Sequence, residues 1–283
     1  MIVAIASGKG GTGKTSISVN LAKVLASPVQ LLDCDVEEPN AHLFLSGTLL
    51  DEEAVSISVP DIDAATCDAC DKCVDFCQFN ALASVGKVPI LFPELCHGCG
   101  GCTLVCPNGS IHEKDYRIGT ITTSQSGSIT LTTGCLDIGV SLASSLVHAV
   151  KERLKDGVTA ILDAPPGTAC QAVATLRGAD FVLLVTEPTP FGLHDLKLAV
   201  DTVRELRLPF GVVVNRMGIG DERVHRYCTD EGIPILLDIP DDRRIAEAYS
   251  RGQLIVEALP EYRKHFEQLW QAILHASSQE VPA

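Results

Sequence analysis

The feature that most constrains this chain is the spacing of its cysteines. Eight of the twelve cysteines lie in two runs with the spacing x2, x2, x3: Cys67, Cys70, Cys73 and Cys77, then Cys96, Cys99, Cys102 and Cys106. Gaps of two residues let three thiolates reach three corners of an iron–sulfur cubane, with the fourth cysteine set further away. Zinc sites favour separated Cys-x2-Cys pairs, and disulfides favour exported proteins. The spacing therefore predicts two [4Fe-4S] clusters.

The same pattern resembles the bacterial two-cluster ferredoxins, including Pro107 after the last cysteine, although Gln78 stands where such ferredoxins usually have proline. In that family the fourth cysteine of each run binds the neighbouring cluster. The resemblance implies one cluster held by Cys67, Cys70, Cys73 and Cys106, and another held by Cys96, Cys99, Cys102 and Cys77.

Composition and charge narrow the class of protein. The 283 residues are 46% hydrophobic and 20% charged, as in ordinary globular proteins. A formal net charge of −14 argues against nucleic acid or anionic lipid as a broad partner, and it favours a redox or iron–sulfur protein partner with a basic patch. The sequence has neither a signal-peptide pattern nor an apolar stretch of membrane-spanning length, so we expect a cytoplasmic protein.

A glycine-rich loop follows the first predicted strand. Ile2–Ala6 is a short apolar run, and a helix is predicted from Lys14 to about Ala26. In this context the glycines let backbone N–H groups surround phosphates, Lys14 reaches the β- and γ-phosphates, and the hydroxyl of Thr15 binds Mg²⁺. The loop predicts an ATP or ADP site with Mg²⁺, formed by Gly8, Gly10, Gly11, Thr12, Gly13, Lys14, Thr15 and Ser16.

Polar residues end several further predicted strands. Asp35 follows the apolar run 29–32, Asp163 follows 158–162, and Asn215 follows 212–214. In an open parallel sheet such strand ends meet beside the ligand. Any one of these aspartates would ordinarily be read as a helix cap or a loop residue, but the ordered series favours a nucleotide site.

Lys9 makes this series resemble the deviant Walker A ATPases of the MinD, ParA and Mrp group, over nearly the whole chain. The resemblance implies a homodimer that sandwiches ATP, with Lys9 reaching the partner's nucleotide. It implies that Asp35 orients the attacking water and that Asp163 holds Mg²⁺ through water. The residues it implies beside the base are Asn215, Arg216, Pro240 and Asp241.

These patterns together predict an α/β fold, a mostly parallel sheet of the P-loop NTPase type flanked by helices, with an inserted small ferredoxin-like domain. We expect the ATPase domain to comprise residues 1–59 and 119–283, and the inserted 2[4Fe-4S] domain to comprise residues 60–118. A hairpin is predicted at 119–133, where the ATPase resumes.

Two further cysteines have a spacing of their own. Cys170 lies in the loop after Asp163, and Cys135 lies in a Gly-Cys sequence that we expect at a helix start. Both details resemble nitrogenase iron-protein reductases, in which two such cysteines per subunit hold one [4Fe-4S] cluster across the dimer. The alternative is that both are plain cysteines. Cys34 and Cys228 are predicted to be ordinary buried residues.

The last predicted helix, 261–275, is amphipathic. MinD relatives end in a basic membrane anchor, but only Arg263 and Lys264 are basic here, so we expect the helix to pack on the ATPase body and not to form a stable anchor. The residues expected on its apolar side are Tyr262, Phe266, Leu269, Trp270, Ile273 and Leu274.

The sequence thus predicts an ATP-hydrolysing homodimer that couples nucleotide state to low-potential electron transfer to a partner. Two alternatives stay open. One is an ATP-dependent scaffold that carries iron–sulfur clusters, as Mrp-type relatives do, and the other is a MinD-like positioning ATPase. The ferredoxin spacing favours retained redox clusters, because scaffold sites usually use a sparse Cys-x2-Cys near the C-terminus.

Overall fold

The computed structural model of the protein describes residues 1–278, so residues 279–283, at the end of the predicted ATPase segment, lie outside the described residues. The strands are β1 (Ile2–Ala6), β2 (Val29–Asp33), β3 (Thr48–Ile62), β4 (Leu82–Ala83), β5 (Ile90–Leu91), β6 (Ile111–Ser126), β7 (Ile129–Leu136), β8 (Thr159–Asp163), β9 (Phe181–Thr186), β10 (Phe210–Met217) and β11 (Ile235–Pro240). The helices are α1 (Lys14–Val24), α2 (Lys72–Phe76), α3 (Gly101–Val105), α4 (Ala143–Lys151), α5 (Cys170–Leu176), α6 (Pro190–Glu205), α7 (Arg223–Asp230), α8 (Arg243–Ser250), α9 (Ile255–Ala258) and α10 (Arg263–Ser277).

One large sheet organises the molecule. Its nine strands run in the order β11-β10-β9-β1-β8-β2-β7-β6-β3, and β4 and β5 form a separate pair. Neighbours from β11 to β7 are parallel, whereas β6 is antiparallel to both β7 and β3. The predicted mostly parallel sheet flanked by helices is confirmed.

Helices cover both faces of the sheet because the central parallel strands are apolar on both sides. On one face Leu146, Val200 and Val224 of α4, α6 and α7 pack against residues such as Leu162. On the other face α1 and α10 pack against residues such as Phe181. The carboxyl ends of the parallel strands are left open at one edge, where the loops of the candidate site lie.

The helix α10 packs on the ATPase body, as predicted. Its residues Phe266, Leu269 and Ile273 are buried in the same core as α1, and Trp270 is partly buried there. Leu274 departs from the prediction, because it is exposed. No helix within residues 1–278 combines the length and hydropathy that crossing a membrane requires.

The cysteine-rich segment is attached to the sheet by a long ribbon. β3 and β6 pair from Thr48 opposite Gln125 to Ile62 opposite Ile111, with register shifts after Leu49 and Val55. Both strands therefore run through the predicted boundaries near residues 60 and 118. Ile57 and Tyr116 pack against the main core and also against a small core that contains Cys96. The ribbon therefore joins residues 63–110 to the ATPase sheet through continuous strands.

Within this segment the backbone repeats itself with an offset of 29 residues, from Cys67–Asn80 to Cys96–Gly109. The helices α2 and α3 are related by that offset. Positive φ angles recur at the related pairs Ala69 and Gly98, Asp71 and Gly100, and Asn80 and Gly109. The sequence repeat of the two cysteine runs is thus matched by a repeat of the backbone, while the assignment to a ferredoxin-like domain stays a prediction.

The expectation that Cys135 begins a helix is wrong. Cys135 lies in β7, opposite Thr120 of β6, and α4 begins only at Ala143. The predicted hairpin is present, but its strands are longer and its turn lies between Ser126 and Ile129. The extra antiparallel pairing with β6 keeps the chain extended through Cys135.

Candidate functional site

The glycine-rich loop joins β1 to α1 in a conformation that only glycine adopts readily. Gly11 and Gly13 have φ angles of 78° and 97°. A Cβ atom at Gly13 would lie 2.5 Å from Nδ2 of Asn215, and that amide donates a hydrogen bond of 2.8 Å to the carbonyl of Thr12. The loop and the end of β10 are therefore in direct contact.

Lys14 and Asp163 lie in the buried part of the site. Ser18 Oγ donates to Asp163 Oδ1 at 2.9 Å, whereas Asp163 Oδ2 is buried without a hydrogen-bond partner among residues 1–278. Burial raises the pKa of Asp163, an effect that Thr15, Lys14 and Ser18 oppose. Burial lowers the pKa of Lys14, and the charges of Asp163 and Asp35 offset part of that change. An unpartnered carboxylate oxygen beside the Thr15 hydroxyl suits a hard cation such as Mg²⁺.

Asp33 is a site residue that sequence reasoning missed. It stands at the end of β2, opposite Asp163 of β8, and its Oδ2 accepts backbone hydrogen bonds of 2.9 Å from both Asn40 and Ala41. Burial and the neighbouring charge of Asp163 raise the pKa of Asp33 to about 8. The sequence feature that could have identified Asp33 is a charged residue at the end of an apolar strand, two positions before Asp35.

Asp35 faces the same cavity from the loop after β2. Burial raises the pKa of Asp35 to about 6, with Lys14 acting in the opposite direction and Asp163 in the same one. The carboxyl is only partly buried, so it can meet a ligand in the cavity.

A single open cavity brings most of the predicted nucleotide residues together. Those that line it are Gly10, Gly11, Gly13, Lys14, Thr15, Ser16, Asp35, Asn215, Arg216, Pro240 and Asp241. Gly8, Lys9, Thr12 and Asp163 do not line it; Gly8 packs against Asp195 instead, where a Cβ atom would lie 2.1 Å from the carbonyl oxygen. Ile239 and Asp242, of the turn expected to border the base, also line it, whereas the sequence reasoning missed the wall formed by Ile245, Ala246 and Tyr249.

Lys9 forms an ion pair with Glu187, the residue that directly follows β9. Its Nζ lies 3.1 Å from Glu187 Oε2, and Nη1 of Arg216 lies 2.8 Å from Oε1 of the same carboxylate. Glu187 is buried, with 6% of its surface exposed. The sequence reasoning gave Glu187 no role, because nothing local marks it as the partner of one cation from the glycine-rich loop and another from β10.

The eight clustered cysteines line two separate cavities. Cys77, Cys96, Cys99 and Cys102 line one, together with Phe79 and His97, whose rings stack with centroids 3.9 Å apart. The other cavity is lined by Cys67, Cys70, Cys73 and Cys106. Each set of four is the set that the exchange of the fourth cysteine predicts.

The surroundings of these thiols bear on what they can hold. Ala81 N–H lies 3.4 Å from Cys77 Sγ, and Ser110 N–H lies 3.3 Å from Cys106 Sγ. Burial alone would raise the pKa of Cys106, but the backbone N–H groups that follow it, beginning with Ser110, lower it. Such N–H groups favour thiolate ligands.

No three His, Cys, Asp or Glu side chains within residues 1–278 are placed to hold a single metal ion. A zinc ion draws all its ligands to within about 2.3 Å of one point, whereas a cubane spreads its four thiolates over separate corners. Within the described residues the thiols of each cavity do not converge on one point, and the two [4Fe-4S] clusters stay a prediction.

Cys135 and Cys170 are both exposed. Each is next to a residue that contacts the loop containing Asp35: Leu136 N–H donates to Val36 O at 2.9 Å, and Gln171 Nε2 donates to Glu37 Oε2 at 3.0 Å. Cys170 is the first residue of α5. The structure thus connects both cysteines to one loop at the nucleotide site.

Comparison with known proteins agrees with this arrangement. The model of the CobQ/CobB/MinD/ParA nucleotide binding domain matches residues 3–255. An uncharacterized protein of Methanocaldococcus jannaschii is 35% identical over 259 residues, which is 89% of this chain and 90% of the relative. An iron-sulfur cluster carrier protein of Pyrococcus abyssi is 24% identical over 272 residues, 90% of this chain and 78% of the relative.

Among solved structures, the septum site-determining protein MinD with Mg-ADP from Pyrococcus horikoshii has a TM-score of 0.61 at 19% identity, with 99% of each chain covered. At that identity the likeness shows the fold, and the family match carries the assignment. The chain belongs to the CobQ/CobB/MinD/ParA nucleotide-binding domain family, as a P-loop ATPase of the MinD/Mrp superfamily.

Proposed function

We propose that this chain is an ATP-hydrolysing, homodimeric iron–sulfur protein that couples its nucleotide state to low-potential electron transfer to a partner. The observation that carries the proposal is the pair of cavities, each lined by four cysteines, on a ribbon whose strands continue the ATPase sheet. A change in the ATPase body can reach the cysteine-rich segment through that ribbon without crossing a flexible linker.

The residues around the cavity support ATP hydrolysis. The Lys14 ammonium would bind the β- and γ-phosphates, and Thr15 and Asp163 would hold Mg²⁺, which would stabilise charge on the phosphates. Water attacks the γ-phosphorus, the bond to the bridging oxygen breaks, and ADP leaves with the electron pair. Asp35, with its pKa raised to about 6 by burial, orients that water and accepts its proton. Asn215, Arg216, Pro240 and Asp241 border the base.

The two cysteine sets hold one [4Fe-4S] cluster each, which supplies one-electron redox chemistry when bound. Their order along the ribbon supports a relay. The cavity of Cys96 also contains Ser58 and Glu113, and the cavity of Cys106 contains Ile62 and Ile111, at the far end of the ribbon. The Cys96 set is thus nearer the ATPase body.

A second contact supports the same order. Ser141 Oγ, in the loop between β7 and α4, donates 3.1 Å to the carbonyl of Glu94, two residues before Cys96. The loop starts just after Cys135. With this contact, a cluster held by the Cys96 set would lie nearer the ATPase body than one held by the Cys106 set.

Cys135 and Cys170 fit a third [4Fe-4S] cluster shared across the dimer. Their exposure leaves both thiols available to a second copy, and their neighbours contact the loop of Asp35. The alternative, two plain cysteines, predicts iron only in the ferredoxin-like segment.

The far end of the segment is acidic, which supports a redox or iron–sulfur protein partner with a basic surface. Asp63, Asp68 and Asp75 are exposed there. The same charge disfavours nucleic acid as a partner.

A carrier function is the second candidate, and the names of relatives from Pyrococcus and Aquifex, iron-sulfur cluster carrier proteins, favour it. A carrier must release its clusters to an acceptor, whereas a redox protein retains them. Cavities lined by four thiols each, with N–H groups aimed at sulfur, support retention.

One experiment separates the candidates. The anaerobically reconstituted protein should contain about 8 Fe per chain from two cubanes, or about 10 with half of a shared third. MgATP should shift the midpoint potential or the EPR signal of a bound cluster, and Lys14→Ala should abolish the shift. An unchanged potential with intact hydrolysis, together with ATP-dependent loss of clusters to an apo-acceptor, would favour the carrier. If the iron content of Cys170→Ser equals that of the wild-type protein, the proposed shared cluster is wrong.

A further inference from the structure

We propose that Glu187 is a positioning residue that holds Lys9 on its own subunit until nucleotide binding and dimerisation draw Lys9 away. The inference rests on the proposed homodimer, in which Lys9 reaches the partner's nucleotide. It gives a role to a buried carboxylate that hydrolysis itself does not use.

The first support is the arrangement of charge. Glu187 is buried and bridges Lys9 at 3.1 Å and Arg216 at 2.8 Å, through its two different oxygens. A buried carboxylate with a single cation could not release it without leaving an unpaired charge. Here Arg216 remains as a partner, so Glu187 can give up Lys9 at a much lower cost.

The second support is that Glu187 is held in place, whereas the side chain of Lys9 is partly exposed. The carbonyl of Glu187 accepts the N–H of Thr189 at 2.8 Å, and a Cβ at Gly192 would lie 2.2 Å from that same oxygen. The side chain of Lys9 is 31% exposed on the glycine-rich loop. An ion pair between a fixed acid and a partly exposed lysine is weak enough to break reversibly.

The third support is that hydrogen bonds anchor Arg216 beside the glycine-rich loop. Arg216 has a φ of 55°, and its N–H donates 3.0 Å to Oδ1 of Asn215. The amide of Asn215 in turn donates to Thr12, three residues from Lys9. These contacts hold the backbone of Arg216 beside the glycine-rich loop, so its guanidinium can stay on Glu187 when Lys9 leaves.

The test compares Glu187→Gln with Arg216→Ala. The glutamine is isosteric but uncharged, so Lys9 should be acetylated roughly two- to fivefold faster in nucleotide-free protein. With a saturating non-hydrolysable ATP analogue and Mg²⁺, the dimer dissociation constant should fall by a similar factor. Arg216→Ala should act in the opposite direction, because Glu187 then has only Lys9 as a partner.

Glu231→Gln is the matched control, since it breaks an ion pair with Arg204 remote from the glycine-rich loop. It should change neither readout. Unchanged Lys9 acetylation in Glu187→Gln, or both variants shifting the dimer in the same direction, would overturn the inference. If acetylation responds but the wild-type protein forms no nucleotide-dependent dimer, the homodimer itself is wrong and the release step fails with it.

Discussion

Asp33 and Asp163 stand opposite each other on the neighbouring strands β2 and β8, and both carboxyls are buried. Within residues 1–278, the hydrogen bonds to the carboxylate of Asp33 come from backbone N–H groups, those of Asp35, Asn40 and Ala41. Asp163 keeps one oxygen without a hydrogen bond in the described chain. Two adjacent buried acids are unfavourable when both are ionised, so this pair is suited to a state in which a cation lies beside it.

The pair predicts how stability depends on pH. In nucleotide-free protein the pKa of Asp33 is about 8, against an ordinary value of 3.8, so between those values the folded state holds more protons than the unfolded state. Stability should therefore fall as pH rises from about 5 to 8. Melting curves in chelator should show this fall. MgADP should flatten it, because a cation lowers the pKa of both acids.

Asp33→Asn provides the control for that prediction. The amide does not titrate in this range, so the variant should be less stable overall but show a flatter pH dependence. Stability that rises between pH 5 and 8 in the wild-type protein would contradict the assignment of a raised pKa to Asp33.

Lys14→Ala should separate the two modules. Loss of a charged contact to phosphate should weaken ATP binding roughly 10- to 100-fold and remove measurable hydrolysis. The cysteine cavities are built from other residues, so iron content and visible absorbance should not change. Isothermal titration and iron analysis on the same preparation check both halves, and loss of iron in Lys14→Ala would show that the modules are not independent.

Asp35→Asn should keep nucleotide affinity and slow hydrolysis by about 100-fold or more, because Asp35 is assigned to the attacking water. In the wild-type protein the rate should rise with pH and level off above about 6, as the carboxyl, whose pKa burial raises to about 6, becomes ionised. Single-turnover hydrolysis at several pH values measures both effects. If Asp35→Asn weakens nucleotide binding by as much as it slows hydrolysis, Asp35 acts in nucleotide binding and not on the attacking water.

Local patterns allowed the central fold to be predicted. The glycine-rich loop between β1 and α1 follows from motif spacing over a few residues. So do the positions of Asp35 just after β2, Asp163 at the end of β8 and Asn215 near the end of β10. The two cysteine sets were also predictable, because fixed spacing carries the information.

What could not be predicted depends on contacts between distant segments. Cys135 is extended because it pairs with Thr120, and β3 continues to Ile62 because it pairs with β6. The pairing of Glu187 with Lys9 joins residues 178 positions apart, a separation that no sequence pattern marks.

The backbone repeat in the cysteine-rich segment predicts opposite effects at related positions. Ala69 has a φ of 56° where its counterpart is Gly98, with a φ of 65°. Ala69→Gly should stabilise the segment by about 0.5–1 kcal/mol, because alanine is strained in this region. Gly98→Ala should destabilise it by about 1–2 kcal/mol, since the added Cβ would also lie 3.2 Å from the carbonyl of Ser58.

Loss of visible absorbance during urea titration of the reconstituted protein measures both changes. Ala65→Gly is the control, because the φ of Ala65 is not positive, so glycine there should be neutral or slightly destabilising. Stabilisation by both glycine substitutions would mean that the backbone conformation at Ala69 is not the cause.

The last prediction concerns coupling between the two modules. Ile62 and Ile111 are register partners, so residues 63–110 can be replaced by a two-residue Asn-Gly turn that closes β3 and β6 into a hairpin. The shortened protein should fold and hydrolyse ATP, and it should lose about 8 Fe per chain. In the intact protein, reduction of the clusters should change the hydrolysis rate severalfold, because the ribbon connects them to the ATPase sheet, and the shortened protein should not respond.

Both proteins should carry Cys170→Ser in this comparison, so that a shared cluster at Cys135 and Cys170 does not contribute. Anaerobic hydrolysis is then measured with oxidised and reduced protein, with and without a basic redox partner. Equal hydrolysis rates together with equal ATP affinities in the two redox states of the intact protein would refute the coupling. Linkage requires that an effect of nucleotide on cluster reduction be matched by an equal effect of reduction on nucleotide affinity. The cysteine-rich segment would then be an electron carrier attached to the ATPase without being linked to its cycle.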